Sequence, residues 1–205
     1  MKHILTLLTL AAIGLPGVSQ EPQPFSSKAN EFNIGFFNAF ALNQIDELGI
    51  GYKRRFKSGA IRTGTGFNFW KSQYDDDINQ YDRKSMEISP KLGYEFDRYF
   101  NRIRLQYGAD FVASFSKLRG ELTSQNINQA NINETKEYSL GLRPVLGITV
   151  YLNESISIST ETYFYFQYTN LKEEQSSGTN ISSITDKGIS TGLGPLGIFS
   201  VNFHF

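Results

Sequence analysis

Few residues in this chain have types that could carry out a reaction. Imidazole is the side chain that changes charge near neutral pH, so a catalytic reading starts from the two histidines, His3 and His204. His3 falls in an apolar leader and His204 stands one residue from Phe205, so no catalysis is expected. There is no cysteine, which removes disulfides, thiol chemistry and any zinc–thiolate site. The segment Tyr74 to Asp82, YDDDINQYD, gathers Asp75, Asp76, Asp77, Asn79 and Asp82. Oxygen ligands suit Ca²⁺, but the glycine and distal glutamate of an EF-hand loop are missing. It reads as a solvated acidic loop able to touch cation-bridged lipopolysaccharide. No metal and no cofactor are expected. The remaining charges of interest are Arg62, Glu87, Lys91, Glu95, Arg104, Asp110, Arg143 and Glu161, each at an alternate position within a run of apolar residues.

The elements that hold those charges have a period of two. On one parity stand Phe32, Ile34, Phe36, Phe40 and Leu42, then Leu48, Ile50, Tyr52 and Phe56, then Ile61 to Phe69. The pattern recurs over Met86–Phe96, Ile103–Phe115, Tyr138–Leu152, Ile156–Tyr168 and about Ile189–Phe205, which makes eight strands. The last has its least regular stretch at Gly192–Gly197, where a bulge is expected. The opposite parity carries glycine (Gly49, Gly51, Gly64, Gly66, Gly93, Gly108, Gly141, Gly147) and both signs of charge. An apolar face and a charged face suit a soluble sandwich or ligand-binding barrel, with the apolar face inward. They equally suit a transmembrane barrel, with the apolar face on lipid.

Connection lengths separate the two. Turns are tight at Lys57–Gly59, near Asp97–Phe100 and at Asn153–Ser155, whereas Ser72–Ser85, Lys117–Glu137 and Leu171–Lys187 read as long polar loops. Short turns at one end and long loops at the other, with runs beyond the about 5–6 residues usual for soluble strands, predict an outer-membrane barrel. The expected fold is therefore all-β, an eight-stranded antiparallel up-and-down transmembrane β-barrel with both termini at the short-turn end. Its lumen would hold Arg62, Glu87, Lys91, Glu95, Arg104, Asp110, Arg143 and Glu161 as a mutually neutralising set. Losing Arg143 is expected to unpair a lumen acid. Tyr94, Phe96, Tyr99 and Phe100 at one end, and Tyr74, Tyr138 and Tyr168 at the other, are candidates for aromatic girdles.

The two ends of the chain fix the compartment. Met1-Lys2-His3 followed by ILTLLTLAAIG and a break at Pro16-Gly17 reads as a secretory signal over residues 1–19, too short for the ~20 apolar residues of a spanning helix. Residues 20–30 form a periplasmic lead segment and 31–205 the barrel. The composition agrees: 17 Phe, 11 Tyr and 18 Gly, a mean hydropathy of −0.32 and zero formal net charge give no case for a helical membrane protein or for nucleic acid.

LGIGYKRRFKSGAIRTGTGFNFW (Leu48–Trp70), with its tight Ser-Gly turn and glycine-alternating return strand, resembles the early hairpin of small OmpA/OmpX-like outer-membrane barrels of the Bacteroidota type. The terminal Phe199, Val201, Phe203 and Phe205 are similar to the signal read by the barrel-assembly machinery in that family. The resemblance implies an outer-membrane location with periplasmic termini, and outer-membrane lipids and lipopolysaccharide as partners. It implies that enzymatic relatives would need a histidine near the outer rim, which this chain lacks. A structural or surface-interaction role is therefore expected. The alternatives are a narrow porin-like pore for small solutes and a secreted soluble ligand-binding barrel.

Overall fold

The computed structural model describes residues 28–37, 47–56, 59–75, 79–124, 129–177, 180–194 and 198–205. Long alternating runs fold as β1 (Asn30–Phe37), β2 (Glu47–Phe56), β3 (Gly59–Asp75), β4 (Asn79–Phe100), β5 (Ile103–Ser124), β6 (Gln129–Tyr151), β7 (Ile156–Ser177), β8 (Asn180–Leu193) and β9 (Ile198–His204). Each strand from β1 to β7 pairs antiparallel with the next in sequence. β9 then pairs with both β7 and β1, which closes the ring. Asn30 and Phe205 exchange backbone hydrogen bonds at 3.0 and 3.1 Å at the seam.

Strands β8 and β9 share the eighth position. β8 pairs with β7 from Phe164↔Leu193 to Ser177↔Asn180, and β9 pairs with it from Ile156↔Phe203 to Glu161↔Ile198. Two residues of β7, Thr162 and Tyr163, separate the registers, against the four residues 194–197 on the other strand. The surplus is even, so the faces do not exchange: Leu193 and Phe199 both point outward, and Gly194 and Ile198 are both buried. The irregularity expected at Gly192–Gly197 falls here, with residues 195–197 outside the described ones.

Polarity is inverted relative to a soluble domain. Leu92, Leu142 and Leu146 are 59 %, 54 % and 59 % exposed, whereas Glu31, Glu95 and Arg104 are each 0 % exposed. Burial of charge and exposure of large aliphatics is the arrangement for a protein whose outer solvent is hydrocarbon. A soluble barrel needs the opposite orientation, so that alternative fails on this face assignment.

Two expectations about connections are corrected. The segments read as long polar loops are mostly ladder: β3 and β4 stay paired out to Asp75↔Gln80, β5 and β6 to Ser124↔Gln129, and β7 and β8 to Ser177↔Asn180. A membrane strand needs only about 9–11 residues to cross, and β4 to β7 have 22 or 23. The surplus projects as hairpins beyond the apolar belt. Ladder hydrogen bonds do not require apolar side chains, so alternation stops where pairing continues. Likewise the β4–β5 turn is Asn101–Arg102, not Asp97–Phe100, with Asn101 in the left-handed region (φ 54°) that asparagine tolerates. Asp97 and Tyr99 therefore sit within β4 and face the bore. Tyr99 is no girdle residue, and neither is Tyr74, which pairs with Tyr81 on the projecting β3–β4 hairpin. At the β6–β7 turn the Asn153 side chain accepts from Ser155 and Ile156 N–H at 2.8 and 2.9 Å, pinning the chain reversal.

Candidate functional site

The inward residues near the short-turn end meet across the bore. In a ring of eight positions, β3 stands opposite β7 and β1 opposite β5. Arg62 of β3 reaches Glu161 of β7 at 2.7 Å, and Arg104 of β5 reaches Glu31 of β1 at 3.1 Å. These two struts cross. Between them Lys53 of β2 contacts Glu95 at 2.9 Å, Glu161 at 3.4 Å and Glu31 at 3.6 Å. Arg62 also donates to Glu95 at 2.8 Å. Its Nε stands 3.0 Å from Asp110 Oδ1, an ion pair without hydrogen-bond alignment. Arg55 bridges Asp97 and Glu31.

Neutral groups complete the plug. Arg104 donates to Tyr151 Oη at 2.8 Å, Gln106 Oε1 at 3.0 Å and Thr149 Oγ1 at 3.0 Å. Gln106 donates in turn to Glu161 at 2.6 Å. Gly147 makes room for this: a Cβ there would lie 2.6 Å from Gln106 Nε2 and 2.9 Å from Glu161 Cγ. Four cations (Lys53, Arg55, Arg62, Arg104) face five acids (Glu31, Glu95, Asp97, Asp110, Glu161), and Lys91 lies next to them in the lumen. With Lys91 the set is neutral, which a low-dielectric interior demands. Toward the hairpin end the network borders a cavity of about 30 Å³ lined by Lys91, Arg143, Ser159 and Ser200 among others. That is space on the scale of a single water.

Of the eight lumen residues named from sequence, Arg62, Glu95, Arg104, Asp110 and Glu161 come together and Lys91 borders them. Glu87 and Arg143 do not join. Glu87 lies nearer the hairpins with Ser114 Oγ 3.5 Å away, and Arg143 stacks on the Tyr163 ring at 4.9 Å. The expectation that Arg143 pairs with a lumen acid is thereby corrected: it stands directly opposite Asp110 in the β5–β6 ladder, but its guanidinium lies over the Tyr163 ring and makes no ion pair among the described residues, while Asp110 is met by Arg62. Phe199, Val201, Phe203 and Phe205 point away from the lumen at the closing seam. Members not named in the lumen set are Glu31, Lys53, Arg55, Asp97 and His204. Lys53 and Arg55 share the inward parity, and alternation carried past Glu95 would have reached Asp97.

His204 makes a second grouping. Its Nε2 is 2.9 Å from Ser157 Oγ, its Nδ1 is 3.6 Å from Glu31 Oε2, and its ring lies 5.0 Å from Tyr151. The order serine–histidine–glutamate resembles a hydrolytic triad, but the last link exceeds hydrogen-bond length and Ser157 is 0 % exposed. Asn202 also donates to Ser157 Oγ at 3.0 Å. The hydroxyl is a packed part of the wall. Among the described residues no group of acids and histidines has metal-binding geometry.

A closed antiparallel ring with an apolar exterior and an ionic interior is a transmembrane β-barrel of the up-and-down type. No protein-family model and no curated protein sequence matches the chain. Among solved structures it is similar to a major outer membrane protein from Thermus thermophilus, at 12 % identity over 86 % of this chain and 100 % of that one, with a TM-score of 0.44. It is similar to CarO from Acinetobacter baumannii at 14 % identity, 87 % and 98 % coverage and a TM-score of 0.36. The ferric yersiniabactin uptake receptor FyuA from Yersinia pestis matches at 9 % identity over 72 % of this chain, with a TM-score of 0.43. This chain spans 24 % of that receptor's length.

Proposed function

We propose that the chain is an integral outer-membrane barrel of the small OmpA/OmpX-like kind, with a structural or surface-interaction role, closed to solutes and without catalysis. The residue 1–19 leader, the residue 20–30 lead segment, periplasmic termini and surface hairpins belong to the same reading. So does the role of Phe199, Val201, Phe203 and Phe205 in recognition by the barrel-assembly machinery, since β9 is the strand that closes the ring. The observation that carries the closed state is the pair of crossed ion pairs, Arg62–Glu161 and Arg104–Glu31, spanning the bore at contact distance. Side chains that meet across a diameter obstruct the bore at that level.

The absence of catalysis is supported by the burial of Ser157 against His204 and Asn202, which leaves its oxygen no approach for a carbonyl. The competing reading is a narrow pore. Proteoliposomes loaded with an impermeant polymer and diluted into isotonic small sugars test it. The protein should give swelling no faster than protein-free vesicles. Swelling that rises with protein content and falls with sugar size would establish the pore instead.

A further inference from the structure

A row of like charges stands on the outer face of the barrel just beyond its apolar belt. Lys117 of β5 is directly opposite Lys136 of β6, which is directly opposite Lys172 of β7. One rung toward the hairpins, Lys71 of β3 faces Lys84 of β4, and Lys84 faces Arg119 of β5. Like charges directly opposite one another destabilise paired strands. Acids on the same face offset part of this. Glu134 touches Lys136 at 2.7 Å and Lys117 at 3.0 Å, Glu174 touches Lys172 at 2.5 Å, Asp82 touches Lys84 at 3.1 Å and Glu121 touches Arg119 at 3.5 Å. The hydrogen bonds from Lys136 and Lys117 hold the Glu134 carboxyl below the usual carboxylate range, so it stays ionised. Six cations against these four acids leave the row net positive by two.

Next to the row, on the membrane side, the same face opens into an apolar groove of about 560 Å³ bordered by Pro90, Ala113, Phe115, Tyr138, Leu140 and Tyr168. Its origin is local. Pro90 has no N–H, and the β4–β5 ladder lapses after Ile88↔Phe115 and resumes in the same register at Lys91↔Val112. Ala113, beside that lapse, presents only a methyl group between taller aromatic neighbours. The dent is continuous with the lysine row, because Phe115 and Lys117 are successive outward residues of β5.

We propose that this face seats one phosphorylated, multiply acylated glycolipid of the outer leaflet, with an acyl chain in the groove and phosphates on Lys117, Lys136 and Lys172. The proposal rests on the transmembrane reading with the hairpins at the cell surface. Neighbouring strands are ~4.8 Å apart, so the three lysines span roughly 10 Å. That reach suits a headgroup with more than one anionic group better than a single phosphodiester. Ammonium groups act on phosphate as compact point charges and tolerate varied headgroup poses.

The test uses the purified full barrel in non-ionic detergent, titrated with hexa-acylated diphosphoryl lipid A or with phosphatidylglycerol and read by native mass spectrometry. One lipid A should bind per barrel, at least tenfold more tightly than phosphatidylglycerol. The triple variant Lys117→Gln, Lys136→Gln, Lys172→Gln should lose about a hundredfold in lipid A affinity, the joint effect of three lysines near an anionic headgroup. Ala113→Trp, which fills the groove and leaves the lysines intact, should lose tenfold or more. Arg98→Gln, on the outer face at the far end of β4, should change affinity less than twofold. Heat-modifiable gel mobility is measured for every variant, so that a folding defect is not read as a lost site. Equal lipid A affinity in wild type and both variants, or equal affinity for the two lipids, would overturn the site while leaving the barrel intact. A wild type without heat-modifiable mobility would overturn the transmembrane reading and the site with it.

Discussion

Arg62 shows how much a single inward side chain does in this barrel. It contacts Glu161, Glu95 and Asp110 together, so removing it takes a counter-ion from three buried carboxylates: Glu161 and Glu95 keep Lys53, and Asp110 loses its ion pair. Breaking a buried pair from one side costs about 3–5 kcal/mol, because the remaining charge has lost its counter-ion without regaining water. Arg62→Leu should lower unfolding stability by roughly that amount in a urea titration of the detergent-folded protein, whereas Glu87→Gln should shift the midpoint by under about 1 kcal/mol. Equal midpoints for the two variants would show that the network is not holding the barrel. Parity alone pointed to Arg62, Glu95, Arg104, Asp110 and Glu161, because a two-residue period fixes which face a side chain takes. It fixes neither how far along the bore a residue sits nor where its side chain turns: Glu87 lies nearer the hairpins, and Arg143, directly opposite Asp110, turns onto the Tyr163 ring. Glu31 and His204 were obscured for another reason. They lie at the seam, where Glu31↔His204 pairing appears only once the ring has closed.

At the scale of the strand, β6 carries both constraints on adjacent residues. Leu146 is 59 % exposed on the lipid face, and Gly147 lies under Gln106 and Glu161 on the other. Leu146→Arg should destabilise by ~2–4 kcal/mol, the cost of arginine at mid-membrane depth. Gly147→Val should cost about 1–3 kcal/mol by overpacking the locked amide and carboxylate. Denaturant midpoints of the two variants in the same lipid or detergent check both values. A wild-type midpoint for Leu146→Arg would mean that the lipid and lumen faces have been exchanged. Arg143→Leu, by contrast, removes a stacked guanidinium and not an ion pair, so its loss should stay within about 2 kcal/mol. Membrane-crossing strands were legible because alternation is what a two-solvent wall imposes on sequence. The projecting hairpins were not, because both of their faces are polar and a paired polar strand has the composition of a loop.

The whole molecule is a ring whose interior is neutralised locally, and its zero formal net charge is compatible with that. Closure was legible in the even strand number, the alternating faces and the matched signs of charge. Pairing of opposite charges across the bore was legible too, but which partners meet was not, since a two-residue period leaves the reach of each side chain open. On the proposed reading the hairpins and the lysine row are the contact surface and the interior is a strut. The strut requires that the bore carry no steady flux. The most direct test is single-channel recording of the wild-type protein in a planar bilayer at neutral pH. Crossed ion pairs predict a quiet bilayer interrupted by rare, small, short-lived events. A sustained ohmic current from every inserted barrel would contradict the closed lumen and establish the protein as a pore.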